Sequence, residues 1–323
     1  MVSRKSQKTK PLEFSGLQTY SLHGRQSMVS VDDFGRPLLP GSSIRELIDS
    51  LPAQLLGRDF PELVRRLAAI HRAERPILVG MGAHVIKVGL NPILIDLMER
   101  SIISGLALNG ACIIHDAEIA MAGSTSEDVA AVLGDGAFGA ARETGEVINA
   151  AINQGAEQGL GMGEAVGRYL LEQKFTYNHL SLVAAAVRLG VPVTVHVAVG
   201  TDITHIHPSA SGAAIGQTSY QDFRLFAAQV AELRAGAYLN IGSAVLLPEI
   251  FLKALTVARN LGHQVDDIVT ANFDFMKQYR SLTNVVNRPT AGSGRGFHVT
   301  GHHELMIPLL AACLLDELAD DSC

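Results

Sequence analysis

The stretch VPVTVHVAVGTDITHIHPSASGA (191–213), followed by YQDFRLFAAQVAEL (220–233) and AYLNIGSA (237–244), decides the fold. Two short apolar runs rich in β-branched residues stand on either side of a helical segment, which is the pattern of a strand–helix–strand unit. Strands that are buried on both faces are nearly continuous apolar runs, and such runs are typical of parallel sheets. The stretch therefore predicts an α/β protein.

The same alternation continues on both sides of this stretch. Further apolar runs are PILVG (76–80), LALNGACII (106–114) and DIVTANF (267–273). Helical spacing is found over 92–105, 116–123, 246–260 and 303–318, and a polar loop with GSGRG (292–296) is expected to lead into the last helix. Strands that alternate with helices predict a mostly parallel sheet covered by helices on both faces.

The chain divides into an arm and one domain. Residues 1–42 combine Pro and Gly with many polar residues and predict an extended N-terminal arm that packs on the body or on a neighbouring subunit. Residues 43–323 predict a single α/β domain with a helical middle section over about 125–189. Pro52 and Pro61 interrupt the first helical pattern, which predicts two short helices at the start of the domain.

Composition excludes several classes of protein. The chain has 323 residues, a formal net charge of -6, 47% hydrophobic and 18% charged residues, as expected for a globular protein with a large core. The acidic balance argues against nucleic-acid binding. No run approaches 18 apolar residues and the basic start leads into polar sequence, so neither a membrane span nor a secretory signal is expected.

The three cysteines, Cys112, Cys313 and Cys323, form no close pair in the sequence, which fits a protein of the reducing cytoplasm.

The loops after the strands contain the candidate functional residues, because ligands of such sheets bind beyond the carboxyl ends of the strands. In GMGAHVIKVG (80–89), glycines permit close approach of the backbone, and Lys87 offers a charge for a phosphate. The spacing is not that of the dinucleotide fingerprint, so a turn that only packs strand against helix is the alternative.

Histidines are concentrated in these loops. His205 and His207 stand two residues apart, and in an extended segment both rings would point to one side. Together with His196, His302 or His303 they could bind a divalent transition metal. Asp202 could equally cap the loop or bind a ribose or a cationic ligand.

Three further positions have structural explanations. Asp116 in HDAE (115–118) is expected to cap the helix that follows it. Glu304 in GHHE (301–304) is expected in the first turn of the last helix, where the dipole favours it. Cys112 is expected in a buried strand rather than as a nucleophile.

The order of these loops resembles that of the deoxyhypusine synthase family over roughly residues 76–318. The segments that are similar to the family's are residues 191–213, GDGAFGAARETGEVINAAI (134–152), AYLNIGSAVLLPEIFLKALTVARN (237–260), DIVTANF (267–273) and GHHELMIPLL (301–310). The resemblance implies a Rossmann-like fold, an NAD cofactor, a small-molecule substrate and a homotetramer with sites between subunits.

Carried over position by position, the resemblance implies a set of cofactor-binding residues. They are Gly82, Ala83, His84, Lys87, Asn109, Gly110, Asp202, Gly242, Thr270, Ala271 and His302, the last near the adenosine end. Lys87 and Arg295 leave NADP as an alternative to NAD.

The function that we predict depends on the positions where this sequence differs from the deoxyhypusine synthase family. The family's catalytic lysine lies in a segment that corresponds here to NRPTAGSGRGFHVTG (287–301), which contains no lysine. Arg295 is too basic to act as a neutral amine nucleophile. We therefore expect an NAD-binding enzyme that is not a true deoxyhypusine synthase, with His84, His205 and His207 as candidate catalytic groups. A metal-dependent enzyme and a noncatalytic oligomeric paralogue are the alternatives.

Overall fold

The computed structural model describes residues 9–319, so residues 1–8 of the predicted arm and Cys323 lie outside it. Its centre is a parallel six-stranded sheet with the strand order β3-β2-β1-β4-β5-β6. The strands are β1 (Ile77–Met81), β2 (Gly105–Asn109), β3 (Val193–His196), β4 (Ala237–Ile241), β5 (Val269–Asp274) and β6 (Arg295–Thr300). This order confirms the predicted α/β Rossmann-like fold.

Helices follow the strands and cover both faces of the sheet. They are α1 (Ile44–Ser50), α2 (Leu55–Arg72), α3 (His84–Lys87), α4 (Asn91–Glu99), α5 (Gly110–Ala122), α6 (Val129–Val132), α7 (Arg142–Glu157), α8 (Met162–Gln173), α9 (Leu182–Leu189), α10 (Gly212–Ala231), α11 (Leu246–Asn260), α12 (Tyr279–Ser281) and α13 (His303–Ala319). A π-helical turn, residues 282–287, continues α12. Within the described residues 9–319, no helix is both long and apolar enough to cross a lipid bilayer.

The apolar core lies in two layers, one on each face of the sheet. On one face, the side chains of Val79 and Leu239 pack with α2, α4 and α13. On the other face, Leu78 and Tyr238 pack with α10 and α11, and the Tyr238 ring stacks on Phe251 at 3.9 Å between ring centroids. Burial of every residue of β1, β4 and β5 explains why these strands are continuous apolar runs in the sequence.

Two predicted elements differ from the structure at the two ends of β2. The apolar run 106–114 contains a strand and the start of a helix, because the Asn109 side chain accepts a hydrogen bond from the Cys112 N–H at 3.0 Å and starts α5 at once. Cys112 is therefore a buried helix residue, not a strand residue. The predicted helix over 92–105 ends at Glu99, and Gly105 begins β2.

The segment after GSGRG is also different, since β6 extends from Arg295 to Thr300 instead of a loop. It pairs with β5 along its whole length, from Val269 opposite Arg295 to Asp274 opposite Thr300. The predicted start of the last helix at His303, with Glu304 in its first turn, is confirmed.

Residues 9–42 lie outside the two core layers. Their only helical features are two short turns, residues 22–24 and 31–33. Backbone hydrogen bonds from Arg36 to Ser50 and from Ala53 to Asp33 connect the end of this segment to the region of α1.

Candidate functional site

The chain changes direction within the sheet between β1 and β4, which are neighbours. Helices α3 and α4 follow β1 on the face that α2 and α13 cover, whereas α11 follows β4 on the opposite face. Connections that leave two adjacent parallel strands on opposite faces open a crevice at their carboxyl ends, and this is where open α/β sheets bind ligands.

Glycine backbone forms the floor of this crevice. The Gly82 N–H donates to the Ile241 carbonyl at 3.0 Å, and a Cβ atom on Gly82 would lie 2.4 Å from the Gly242 carbonyl oxygen. Gly242 has φ +65, a left-handed conformation that favours glycine, and a Cβ there would lie 2.7 Å from Cε1 of His303. Gly82 is buried and Gly242 is half-buried, so the two glycines let the turns after β1 and β4 pack closely against each other and against His303 at the base of the crevice.

Four aromatic rings lie beside the crevice, and we call them the aromatic cluster: His84, Phe275, His302 and His303. The His84 ring centroid lies 5.9 Å from Phe275 and 5.4 Å from His303, and Phe275 stacks on His302 at 6.3 Å with an interplanar angle of 11°. Phe275 is 48% exposed, and His84 and His302 are exposed as well. The near-parallel rings of Phe275 and His302 are thus available to solvent, and the His84 ring is tilted by 63° to Phe275.

His303 is the buried member of the cluster. Its Nε2 lies 3.2 Å from the Phe273 carbonyl oxygen, which can only accept, so Nε2 carries the proton. Nδ1 is buried without a hydrogen-bond partner, and burial lowers the pKa of the His303 imidazole. His303 is therefore a neutral side chain that supports the Gly242 turn from below.

A half-open cavity of about 210 Å³ lies at the carboxyl ends of β1, β2 and β3. Its polar lining combines five ionisable side chains, namely Lys87, His115, Glu118, Glu127 and Asp202. The rest of the lining is Ala111, Ile114, Ser126, Val129, Phe138, Thr201 and Ile203. A cleft of about 710 Å³ adjoins it and shares Glu118, Ser126 and Glu127. Several ionisable groups in one cavity at a ligand-binding edge are typical of an active site.

Asp202 closes the cavity above the start of α5. A Cβ atom on Gly110 would lie 1.9 Å from the Asp202 Oδ2, so only glycine fits beneath this carboxyl group. Burial raises the pKa of Asp202, and the neighbouring His205 acts in the opposite direction. His205 Nδ1 accepts hydrogen bonds from the N–H groups of Gly200 and Asp202 at 3.1 and 3.3 Å, so this ring holds the loop after β3.

A chain of hydrogen bonds fixes His115 at the cavity wall. His115 and Glu118 lie three residues apart on one face of α5, with 3.9 Å between Nδ1 and Oε2. His115 Nδ1 lies 2.6 Å from the Thr125 Oγ1, and the Thr125 hydroxyl donates to Glu118. The Thr144 hydroxyl donates to the other Glu118 oxygen at 3.0 Å. Burial lowers the pKa of His115, Glu118 raises it and Lys87 lowers it.

The predicted histidine site is not assembled. Residues 203–206 form a 3-10 turn, so His205 and His207 do not point to one side as an extended segment would require. His207 Nε2 donates to the Gly139 carbonyl at 2.9 Å and its ring packs on Gly145. Among residues 9–319, no group of three or more His, Cys, Asp or Glu side chains is placed to hold a metal ion.

The predicted cofactor residues divide into two groups. Gly82, His84, Gly242 and His302 lie at the crevice or in the aromatic cluster, next to the buried Ala83. Lys87 and Asp202 line the cavity, and Asn109 and Gly110 lie beneath it as the cap and first residue of α5.

Thr270 and Ala271 lie apart from both groups. They are completely buried inside β5, before its carboxyl end, so they do not contact either the crevice or the cavity. The sequence interpretation gave HDAE (115–118) a structural role and did not include His115 and Glu118 among the site residues, although their spacing of three residues on a helix was a usable signal.

No protein-family model matches the sequence, and no curated protein matches it. Solved structures do share the fold. A candidate deoxyhypusine synthase from Entamoeba histolytica aligns over 87% of this chain and 96% of its own, with a TM-score of 0.51 and 11% identity. A candidate LOR/SDH protein from Methanococcus maripaludis aligns over 81% of this chain and 70% of its own, with a TM-score of 0.50 and 13% identity.

AgrE, solved in a ternary complex with ornithine and NAD+, is also similar, with a TM-score of 0.51 and 15% identity over 81% of this chain. The chain spans only about a third of the length of AgrE, since 33% of that protein is covered. At these identities the likeness is one of fold.

Proposed function

We propose that the chain is an NAD-binding enzyme that acts on a small substrate and is not a deoxyhypusine synthase. The observation that supports this most strongly is the crevice between β1 and β4, where the helices that follow the two adjacent strands leave on opposite faces of the sheet. The similarity in fold to a protein solved with NAD+ is consistent with the proposal.

The features of the carboxyl edge fit an extended dinucleotide. The adenine ring would stack on the exposed Phe275 and His302, and the pyrophosphate would cross the carboxyl ends of β1 and β4 beside the half-buried Gly242. The nicotinamide would then lie toward Asp202 above Gly110, and Lys87 would offer a charge near the phosphates. From β5 to β2 is three strand spacings, roughly 14 Å, which an extended ligand can span.

The lack of a lysine in residues 287–301 argues against aminobutyl transfer. Bound NAD would supply a hydride acceptor, but the segment 287–301 offers no lysine to act as the nucleophile of a deoxyhypusine synthase. The half-open cavity of about 210 Å³ is the space that we assign to the substrate.

Thermal melts with and without NAD test the proposal. Protein shown to be free of copurified NAD should gain about 2.7 kcal/mol in the free energy of unfolding at a ligand concentration of roughly 100 times Kd, which is a rise in Tm of several degrees.

Phe275→Ala should raise the Kd for NAD about tenfold, because stacking of a base on an aromatic ring contributes ~1–3 kcal/mol.

The matched control is Tyr220→Ala, another exposed aromatic residue that lies two turns along α10. This variant should bind NAD like the unaltered protein. An unchanged Tm at millimolar NAD would rule out the proposed function.

We also propose that the chain forms a homo-oligomer through its arm. Residues 12–39 expose eleven large apolar side chains: Leu12, Phe14, Leu17, Tyr20, Leu22, Met28, Val29, Val31, Phe34, Leu38 and Leu39. Such a number on one segment favours an interface, and a second copy of the chain is the partner that the resemblance implies, as a tetramer.

A further inference from the structure

One histidine ring in the cavity has a nitrogen atom without a hydrogen-bond partner. This ring belongs to His115, and its only hydrogen bond among residues 9–319 is made by Nδ1 with Thr125, which leaves Nε2 without one. This nitrogen must either donate to the Thr125 oxygen or accept from it, and the neighbouring hydrogen bonds decide between the two.

The position of the Thr125 proton settles this choice. A hydroxyl group carries one proton, and Thr125 donates it to Glu118. Glu118 accepts a second hydroxyl proton from Thr144 at its other oxygen, as expected of a carboxylate. Nδ1 of His115 therefore carries the proton that completes the chain, and it donates to the Thr125 oxygen. Nε2 is left with a free lone pair.

The burial of the ring favours the neutral form that has this lone pair. The His115 and Glu118 side chains are only 18% and 16% exposed, and burial is the largest cause of the lowered pKa of His115. A neutral imidazole held in one tautomer by a hydroxyl and a carboxylate is the usual arrangement of a general base.

We propose that His115 is the general base of the NAD-dependent reaction and that Glu118 and Thr125 are its positioning residues. In the step, Nε2 accepts the proton of a substrate hydroxyl. The C–H bond at the same carbon would break, bound NAD would accept its electron pair as hydride, and the carbon would become a carbonyl. This inference rests on the proposed function, because the hydride needs NAD as its acceptor.

The charges in the cavity define the class of substrate. Three carboxyl groups, those of Glu118, Glu127 and Asp202, face one lysine, Lys87. This excess of acidic groups disfavours an anionic substrate such as a hydroxy acid. The expected substrate is a small alcohol without net negative charge, such as a polyol or an amino alcohol.

The tautomer of His115 can be measured without substrate. Full-length protein with 15N-labelled histidine is studied by long-range 15N–1H NMR at pH 8, with His115→Gln to assign the signal. We expect a protonated Nδ1 and an unprotonated Nε2, whereas free neutral imidazole favours the opposite form. Thr125→Val should lose this preference, Thr125→Ser should keep it, and Thr256→Val, which removes an exposed hydroxyl on α11, should not affect it.

Modification by diethyl pyrocarbonate then tests whether the free nitrogen faces the cofactor site. His115 should react at Nε2, as found by peptide mass spectrometry, and millimolar NAD should slow its reaction at least fivefold without protecting the exposed His263.

A protonated Nε2 would overturn the inference. NAD binding without protection of His115 would overturn it while the proposed function stands. Absence of NAD binding would remove both, even with the expected tautomer.

Discussion

His196 is the buried residue whose protonation should couple stability to pH. It is 2% exposed, and burial lowers its pKa to about 3. The Thr194 hydroxyl donates to the Leu106 carbonyl at 3.1 Å, so the His196 Nε2 must donate to the Thr194 oxygen. A histidine with a lowered pKa in the folded state contributes stability that is present above the unfolded pKa of about 6.5.

This contribution should fall as the pH decreases from 6.5 toward 3. At pH 5 the free energy of unfolding should be lower by about 2 kcal/mol, because His196 is mostly protonated in the unfolded chain and mostly neutral in the folded protein. Urea unfolding at pH 7 and pH 5 should show this loss, and His196→Gln should reduce it. Exposed His263 is the control, and His263→Gln should leave the pH dependence as it was. Equal pH dependence in His196→Gln and the unaltered protein would contradict the assignment.

At the scale of elements, Asp116 joins three helices. It lies in the middle of α5, completely buried, and therefore does not cap that helix as the sequence suggested. Its carboxylate accepts from Asn91 at the start of α4, and from the Ser181 hydroxyl and the N–H groups of Leu182 and Val183 at the start of α9. Asp116 thus caps a helix 66 residues further along the chain.

Asp116→Ala should lower the free energy of unfolding by about 3 kcal/mol or more, because several buried donors lose their acceptor. The change is measured by urea unfolding at pH 7. Asp96→Ala on α4 is the control, since the exposed Asp96–Arg100 ion pair contributes about 1 kcal/mol or less. A similar small loss in both variants would show that Asp116 does not hold the helices together.

The elements differ in how far the sequence predicts them. Buried strands such as β1 and β4 are predicted well, because both of their faces require apolar side chains. The boundary between β2 and α5 is not, because the buried helix continues the apolar run and only the Asn109 cap separates them. The edge strand β6 is missed because GSGRG is a turn signal and the strand alternates between buried and half-exposed positions.

At the scale of the whole molecule, the sheet assembles the candidate site from distant segments. The sequence indicates that the loops after the strands bear the chemistry, and Lys87 and Asp202 do meet in one cavity. It does not show which histidines converge, because hydrogen bonds in the fold orient each ring: His205 and His207 bind backbone groups, whereas His115 faces the cavity. Convergence of this kind depends on topology, which local patterns do not encode.

The arm gives the last prediction at this scale. The exposed apolar residues of segment 12–39 should bury their surface against a second copy, because the backbone hydrogen bonds that join this segment to the body within residues 9–319 lie at its end, at Asp33 and Arg36. Light scattering should give the full chain a mass that is a multiple of 34.4 kDa, and the triple variant Phe14→Ser, Leu17→Ser, Tyr20→Ser should shift it to smaller species with little change in Tm. Leu261→Ser, an exposed apolar residue after α11, should leave the mass unchanged. A monomeric full chain at micromolar concentration would show that the arm does not assemble the protein.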